Sequence, residues 1–514
     1  MKKILCLVPI LTLLLSNCFN PLDSNSEQEA TLSITLPSWG SGNGKAAWDT
    51  GILTYEVTGD GPSGKSFSKS APAGDTVTVR IVPGSWQIEV KARGTSTPTG
   101  EYEIDSGIQN ISVKAGVTNK PTITMRFRRI ELIYDYLNYV GGTKTAPASL
   151  HLAIELSDSN WNDLLAAINT ASQYVALDLS ACTAAASTSA YGLKNGSPYV
   201  IFDPNSSDST GKDMIVSLVL PEATQEILGG IGGNSTFMSF DSLTEITIGG
   251  NITTIGEFAF DSSNLERVTI GDSVTEIKDG AFQYCDQLTS VTIGNGVTAI
   301  GNYAFESCTS LSSVSLGNSI TTIGHYAFWH NDILTSIIIP NSVISIDDRA
   351  FEYCDLTELT IGNSVQSIGQ YAFSDNLRLE DVIIPDSVIT IDNFAFFDCS
   401  LKTLEIGNLV ETIGNTAFSD NELTGEIIIP DSVNTIGDSA FFGNKITKVT
   451  IPDNINIGQT AFMGNNDLTT VIFGGDNVAF YNSTFESGLD VEFFRSGGGA
   501  GTYELDGFNT WVKQ

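Results

Sequence analysis

The sequence predicts a mainly β protein: a small β-sandwich followed by a solenoid of about twelve coils, each 22–23 residues long. Three observations predict it. An Ala-Phe pair returns at a near-constant interval through the second half of the chain. Before it, short runs alternate apolar and polar residues between Gly, Pro and Ser clusters, the pattern of half-buried strands. The 514 residues are 41% hydrophobic and only 16% charged, ample for a core and unlike a disordered chain.

Residues 1–18 read as an export signal. Lys2 and Lys3 precede a mostly apolar run, Ile4 to Leu15, too short for the ~20 helical residues that span a bilayer. The run ends in Leu15-Ser16-Asn17-Cys18, which resembles a lipobox. That resemblance implies acylation of Cys18 as the first residue of a mature lipoprotein, although Asn17 stands where the family has Gly, Ala or Ser. Residues 19–29, FNPLDSNSEQE, are polar and suit a tether.

Residues 30–128 give candidate strands at 30–36, 53–58, 76–82, 86–92, 108–114 and 120–127. In TVTVRIV, Val77, Val79 and Ile81 share one face. Six short strands with turns between them indicate the sandwich, read here as a spacer. Residues 129–226 are expected to connect the domains and cap the solenoid. Ser149 to Leu156 and Val175 to Leu179 read as strands, with a helix between them from Asn160 to Ala171. A terminal cap must cover a core that the next coil would otherwise cover. His151 lies in one of these strands and reads as structural.

Residues 227–490 are the array. Phe260, Phe282, Phe305, Phe328, Phe351, Phe373, Phe396, Phe418, Phe441 and Phe462 each follow an alanine, and Phe237 and Phe485 extend the series. In one unit, Val268 and Ile270 alternate around Thr269 as a strand with one buried face, Gly271 turns the chain, and Val274 and Ile277 point inward. Alanine fits where backbones approach, and phenylalanine fills the space between coils at about 1.5–3 kcal/mol each. From Phe282 onward, the third residue after each phenylalanine is Cys or Asn: Cys285, Cys308, Asn331, Cys354, Asn376, Cys399, Asn421, Asn444 and Asn465. Asparagine replacing cysteine at one place argues for a buried side chain bonded to turn backbone rather than for disulfides. Residues 491–514, with Tyr503 and Trp511, are expected to close the far end as a β cap.

The repeat LTxVxIxxxVxxIGxxAFxxC/N closely resembles the BspA-like bacterial leucine-rich repeats over residues 237–485. The resemblance implies a leucine-rich-repeat solenoid and a cell-surface or secreted protein, in some members an adhesin for host matrix or for other microbes.

In such a solenoid the strands line up as a parallel sheet on the concave side, and the residue between the two buried strand positions faces outward. That position holds Thr247, Thr269, Thr292, Ser315, Ile338, Thr360, Ile383, Glu405, Ile428, Thr450 and Ile472. Ile338, Ile383, Ile428 and Ile472 are therefore the candidate partner-binding residues, an apolar row rimmed by Thr and Glu. A bland alternative is that isoleucine merely favours strands and the row echoes duplication of repeat pairs.

Charge narrows the partner. Asp and Glu number 59 against 25 Lys and Arg, a net −34, of which residues 227–494 carry −28. Nucleic acid is excluded as a partner, since it demands clustered Lys and Arg. A basic partner, or Ca²⁺ bridging acidic loops such as Asp347-Asp348, is the sharp reading of the array's charge; the acids are scattered over the units, so solvation of a long exposed surface is the preferred one. Only His151, His325 and His330 are available for acid/base chemistry, and no zinc-spaced cluster, EF-hand, GxSxG, HExxH or P-loop occurs, so neither metal nor cofactor is expected. His325 and His330 flank Trp329, a possible recognition spot read mainly as coil-to-coil variation. The expected function is a non-enzymatic surface lipoprotein whose array binds a protein, from host matrix or another microbe. A structural envelope protein is the alternative, and an exported polysaccharide-acting enzyme ranks below both.

Overall fold

The computed structural model describes residues 10–16, 30–35, 54–60, 64–72, 76–81, 84–96, 100–113, 122–124, 126–127, 133–156, 158–184, 193–194, 211–222, 224–229, 237, 240–248, 250–480 and parts of 483–514. The chain divides into two compact units: 1–187 with 206–223 and 240–243, and 188–205 with 224–239 and 244–514.

The first unit holds two antiparallel sheets. One orders its strands Thr76–Ile81, Ala30–Thr35, Ile10–Ser16, Thr122–Thr124; the other, Ser66–Pro72, Thr54–Asp60, Gly84–Ser96, Gly100–Val113, Arg126–Phe127. Val57, Ile88 and Val90 are fully buried, as their alternation with polar neighbours demands. The strand Ser66–Pro72 has no counterpart in the sequence reading. It is an edge strand, SFSKSAP, and an edge needs no apolar alternation. In the full chain the backbone of Ile10–Ser16, part of the expected signal, pairs antiparallel with Ala30–Thr35 and Thr122–Thr124.

Beyond these sheets, parallel strands Ala148–His151, Val175–Asp178 and Ile215–Val219 lie side by side, with the helix Asp158–Ala171 between the first two in sequence. Trp161, Leu164, Leu165 and Ile168, spaced to share one helix face, are all buried. A second helix, Ile133–Val140, buries Ile133 and Leu137. Ile133, Tyr136, Leu137 and Val140 stand at helix spacing in the sequence, yet this helix is not among the elements expected for residues 129–226.

The second unit is a β-solenoid, mainly strand and turn with coils of about 23 residues. Each coil contributes to three ladders. The first is the expected sheet: Glu245–Ile248, Arg267–Ile270, Ser290–Ile293 and Ser313–Ser315 pair in parallel with their apolar residues inward. It then continues as separate pairs, Ser336–Ile338 with Glu358–Thr360 and Asp381–Ile383 with Thr403–Glu405. Thr424–Ile428, Lys445–Ile451 and Thr470–Phe473 follow, and antiparallel strands Gly501–Leu505 and Trp511–Lys513 complete that sheet. The interruptions fall before the three strands that run into Pro340, Pro385 and Pro430. Proline alone is not the cause, since Pro452 follows Lys445–Ile451, which pairs on both sides.

A second sheet was not foreseen. Thirteen short strands, mostly of two residues such as Glu276–Ile277, form one ladder in which Leu193–Lys194 alone is antiparallel among the described residues. A two-residue strand carries no alternation to detect, which is why Ile277 read as part of a turn.

The third ladder surrounds Ala-Phe. The amides of Gly280, Phe282 and Tyr284 donate to the carbonyls of Asn302, Ala304 and Glu306 in the next coil at 2.8, 2.8 and 2.9 Å. Such one-way bonding needs left-handed residues two before and two after each phenylalanine. Gly280 and Tyr284 have φ of 62° and 56°, and Tyr326 and His330 have 56° and 60°. Inside this turn the phenylalanines from Phe237 to Phe485 form an unbroken parallel stack, with ring centroids 4.5 to 5.4 Å apart.

Candidate interaction surface

The first sheet presents two outward columns, the first and third residues of each three-residue strand. Along the middle of the array these are Ser336 and Ile338, Glu358 and Thr360, Asp381 and Ile383, then Thr403 and Glu405. Glu426 and Ile428 continue the columns beside Lys448 and Thr450. Ile338, Ile383 and Ile428 are 69%, 64% and 61% exposed, the most exposed large apolar side chains among the described residues. Ile472 differs: it is half-buried, on the strand that pairs with Gly501–Leu505. The row of high exposure thus has three members.

More apolar surface lies in the same stretch of chain. Ile333, Ile344, Leu377, Ile389 and Leu409 are also exposed, so that residues 333–428 hold every exposed Ile and Leu described. Charge around the row is uneven. Lys402 pairs with Glu380 at 2.6 Å and Lys448 with Glu426 at 3.0 Å. Asp381 accepts a hydrogen bond from Thr403 Oγ1 at 2.5 Å, and no ion pair among the described residues includes Glu358, Asp381 or Glu405.

Residues 231–357 and 344–469 match the model of the BspA type leucine rich repeat region, six copies in all. The array is a BspA type leucine-rich repeat region. A leucine rich cell surface protein from Faecalibacterium prausnitzii is 28% identical, over 52% of this chain and 80% of its own, with a TM-score of 0.30. A leucine-rich repeat protein from Bacteroides ovatus is 23% identical over 53% and 80%, with a TM-score of 0.33. The leucine rich repeat protein of T. pallidum is 25% identical over 40% and 76%, with a TM-score of 0.26. No curated protein matches the chain.

Within the BspA type array, the Cys/Asn position is a buried cap. Cys285, Cys308, Cys354 and Cys399 are buried thiols, none in a disulfide. Each Sγ donates to the carbonyl of the phenylalanine one coil back, at 3.1 to 3.3 Å. Asn331, Asn376, Asn421, Asn444 and Asn465 do the same through Nδ2 at 2.8 to 3.0 Å. Burial pushes the Cys354 thiol up to about 12, so it stays protonated at neutral pH.

The two histidines beside Trp329 are absorbed by the coil. His325 stands in a side-chain ladder: its own amide donates to Asn302 Oδ1 at 2.9 Å, and its Nδ1 accepts the Asp348 amide at 3.2 Å. Asp348 continues that ladder by accepting the Gln370 amide at 2.9 Å. His330 Nδ1 lies 2.5 Å from Asp332 Oδ1. Trp329 Nε1 donates to Glu352 Oε2 at 2.8 Å, and Arg349 Nη1 donates to both oxygens of the same buried carboxylate at 2.7 and 2.8 Å. Burial pushes the Glu352 carboxyl up from its ordinary value, against the pull of Arg349 and Trp329.

An aromatic column along the turn escaped the sequence reading. Tyr303 stacks on Tyr326 at 5.0 Å, and the Arg349 guanidinium lies 5.7 Å from Tyr326 and 4.1 Å from Tyr371. Tyr371 in turn stacks on Phe394 at 4.5 Å. The signal was present, two residues before each core phenylalanine. The inner members of this column cover one another's faces, and Tyr303 and Phe394 end it.

In the first unit, His151 Nδ1 lies 2.8 Å from Asp178 Oδ2, its register partner on the neighbouring strand. Burial would raise the Asp178 carboxyl, yet hydrogen bonds from His151 and Ser180 outweigh it and hold the group well below the carboxylate range. Twenty-seven residues of separation hid this pair from the sequence reading. Cys18 lies outside the described residues.

Proposed function

We propose that this chain is an exported, lipid-anchored bacterial surface protein whose repeat array binds a protein and carries out no catalysis. The observation that carries the reading is the row Ile338, Ile383 and Ile428, three aliphatic side chains more than 60% exposed at the same outward position of three successive sheet segments. Water contact at such sites costs free energy that a partner's apolar surface relieves. The partner belongs to host matrix or to another microbe's surface. A basic protein fits best, since the array carries 35 Asp and Glu against seven Lys and Arg.

Anchoring is through Cys18, acylated after cleavage of residues 1–17. Cleavage there removes the strand Ile10–Ser16, which makes Ala30–Thr35 a sheet edge and takes away the strand that Thr122–Thr124 pairs with in that sheet. Mass spectrometry of the membrane-extracted protein reads the anchor directly, and Cys18→Ala should release the chain from membranes.

Capture from host matrix and microbial surface preparations tests the binding, with the parent beside a variant carrying Ile338→Lys, Ile383→Lys and Ile428→Lys. The reading expects a partner held by the parent and lost by the folded variant. Equal capture by both would move recognition to another surface, and capture by neither would favour a structural envelope role.

A further inference from the structure

The spacing and charge of the isoleucine row specify the shape of what docks there. We propose that the row receives a basic amphipathic α-helix lying along the array, with one apolar side chain every seven residues. This deepens the protein-binding reading above and rests on it.

Coils along this stretch stack 5.2 to 5.4 Å apart at their phenylalanine rings. Successive isoleucines are two coils apart, hence roughly 10 Å, with Thr360 and Glu405 in between. A helix rises about 1.5 Å per residue, so a seven-residue repeat returns one face every ~10.5 Å. It stays in step from Ile338 to Ile428 across fourteen or so residues, about four turns. An extended strand laid the same way returns a face every ~6.8 Å and falls out of step at once. A polyproline helix turns every ~9.3 Å and lags further behind at each step.

Charge sets the second property. Glu358 and Asp381 stand in the column beside the row and Glu405 stands within it, with no Lys or Arg paired to any of them among the described residues. A helix with Lys or Arg flanking its apolar seam places cations over these carboxylates. A second copy of this chain meets them with its own acids, since residues 227–494 carry 35 Asp and Glu against seven Lys and Arg. Self-association through this face is therefore disfavoured.

The test uses the full chain and three labelled peptides of about 22 residues. The first is Ala-rich, with Leu every seventh position and Lys on both flanks. A second has the same composition with Leu every fifth position, and a third is proline-rich with Leu every third. Fluorescence anisotropy should show the first binding at least about tenfold more tightly than the others. Ile383→Ala should weaken it about tenfold, and the combined Ile338→Ala, Ile383→Ala, Ile428→Ala variant should abolish binding, with folding checked by circular dichroism. Glu358→Gln with Asp381→Asn should weaken binding and flatten its salt dependence.

Equal binding of all three peptides, preference for the proline-rich one, or full affinity in the triple alanine variant each overturns the helix. The two readings separate cleanly. A captured protein lost on mutating the row, with no helical peptide bound, sinks the helix and leaves the protein-binding face standing.

Discussion

At the residue scale, the choice between Cys and Asn follows the length of the preceding turn. Where the next buried leucine lies three positions after the cap, that leucine's amide bonds back to the cap's own carbonyl, as Leu311 does to Cys308. Where it lies only two positions after, the amides of Leu356, Leu401, Leu423 and Ile446 reach Oδ1 of Asn376, Asn421, Asn444 and Asn465 in the next coil, at 3.0 to 3.1 Å. Cysteine has no such acceptor. Asn331 follows a three-position step, and its buried Oδ1 has no partner. Asn331 is thus one exception, and Cys285, which follows the two-position step from Ser263 to Leu265, is the other. Asn421→Cys should therefore strip the Leu401 amide of its acceptor, at about 1–3 kcal/mol, and speed its hydrogen exchange. Asn331→Cys should cost less. The interchange of Cys and Asn was legible in the sequence; its dependence on turn length was not, because the bond joins different coils.

The His151–Asp178 pair gives a pH dependence. Asp178 is depressed in the folded chain, so its contribution is full above the unfolded carboxylate pKa, about 3.9, and is lost progressively as pH falls from there through the lower folded value. Asp178→Asn should lower the first unit's resistance to urea at pH 7 and lower it distinctly less at pH 2. An equal loss at both pH values would show that the pair contributes only packing.

At the scale of the element, the phenylalanine stack and the left-handed turns make different demands. Phe373 is fully buried between Phe351 and Phe396, 5.4 and 5.2 Å away. Phe373→Ala should cost about 3–5 kcal/mol and open the neighbouring coils to hydrogen exchange, since each coil leans only on its neighbours. Tyr371, two residues earlier, has φ of 56° and stacks on Phe394. Tyr371→Gly relieves about 1 kcal/mol of left-handed strain while losing the Phe394 stack and the Arg349 guanidinium over its ring, about 1–2 kcal/mol together. Its stability should change by less than about 1 kcal/mol, read by chemical denaturation. The period, the first sheet and the inward phenylalanines could be read from the sequence because alternation and spacing encode them directly. The second sheet and the third ladder could not: one uses two-residue strands, and the other puts Tyr, Phe and Arg where backbone preference alone would choose glycine.

At the scale of the whole molecule, stacked ladders stiffen the array and leave its outer columns free to vary without cost to the core. That freedom explains why threonine, glutamate and isoleucine share one column, and why the fold was easier to read than the candidate site. Ile338, Ile383, Ile428 and Ile472 looked equivalent by spacing, yet Ile472 lies half-buried on a strand that meets the antiparallel closing strands. A partner held by electrostatics and an apolar ridge should bind less tightly as salt rises, and still keep measurable affinity at 0.5 M NaCl, where the ridge alone remains.

The central claim is that recognition sits on the isoleucine face of the first sheet. Hydrogen exchange of the full chain, with and without a captured protein partner, tests it most directly. The account predicts slowed exchange in Ser336–Ile338, Asp381–Ile383 and Thr424–Ile428 and their pairing strands, with the aromatic turn column unchanged. Protection confined to the aromatic turns, the second sheet or the first unit would contradict it.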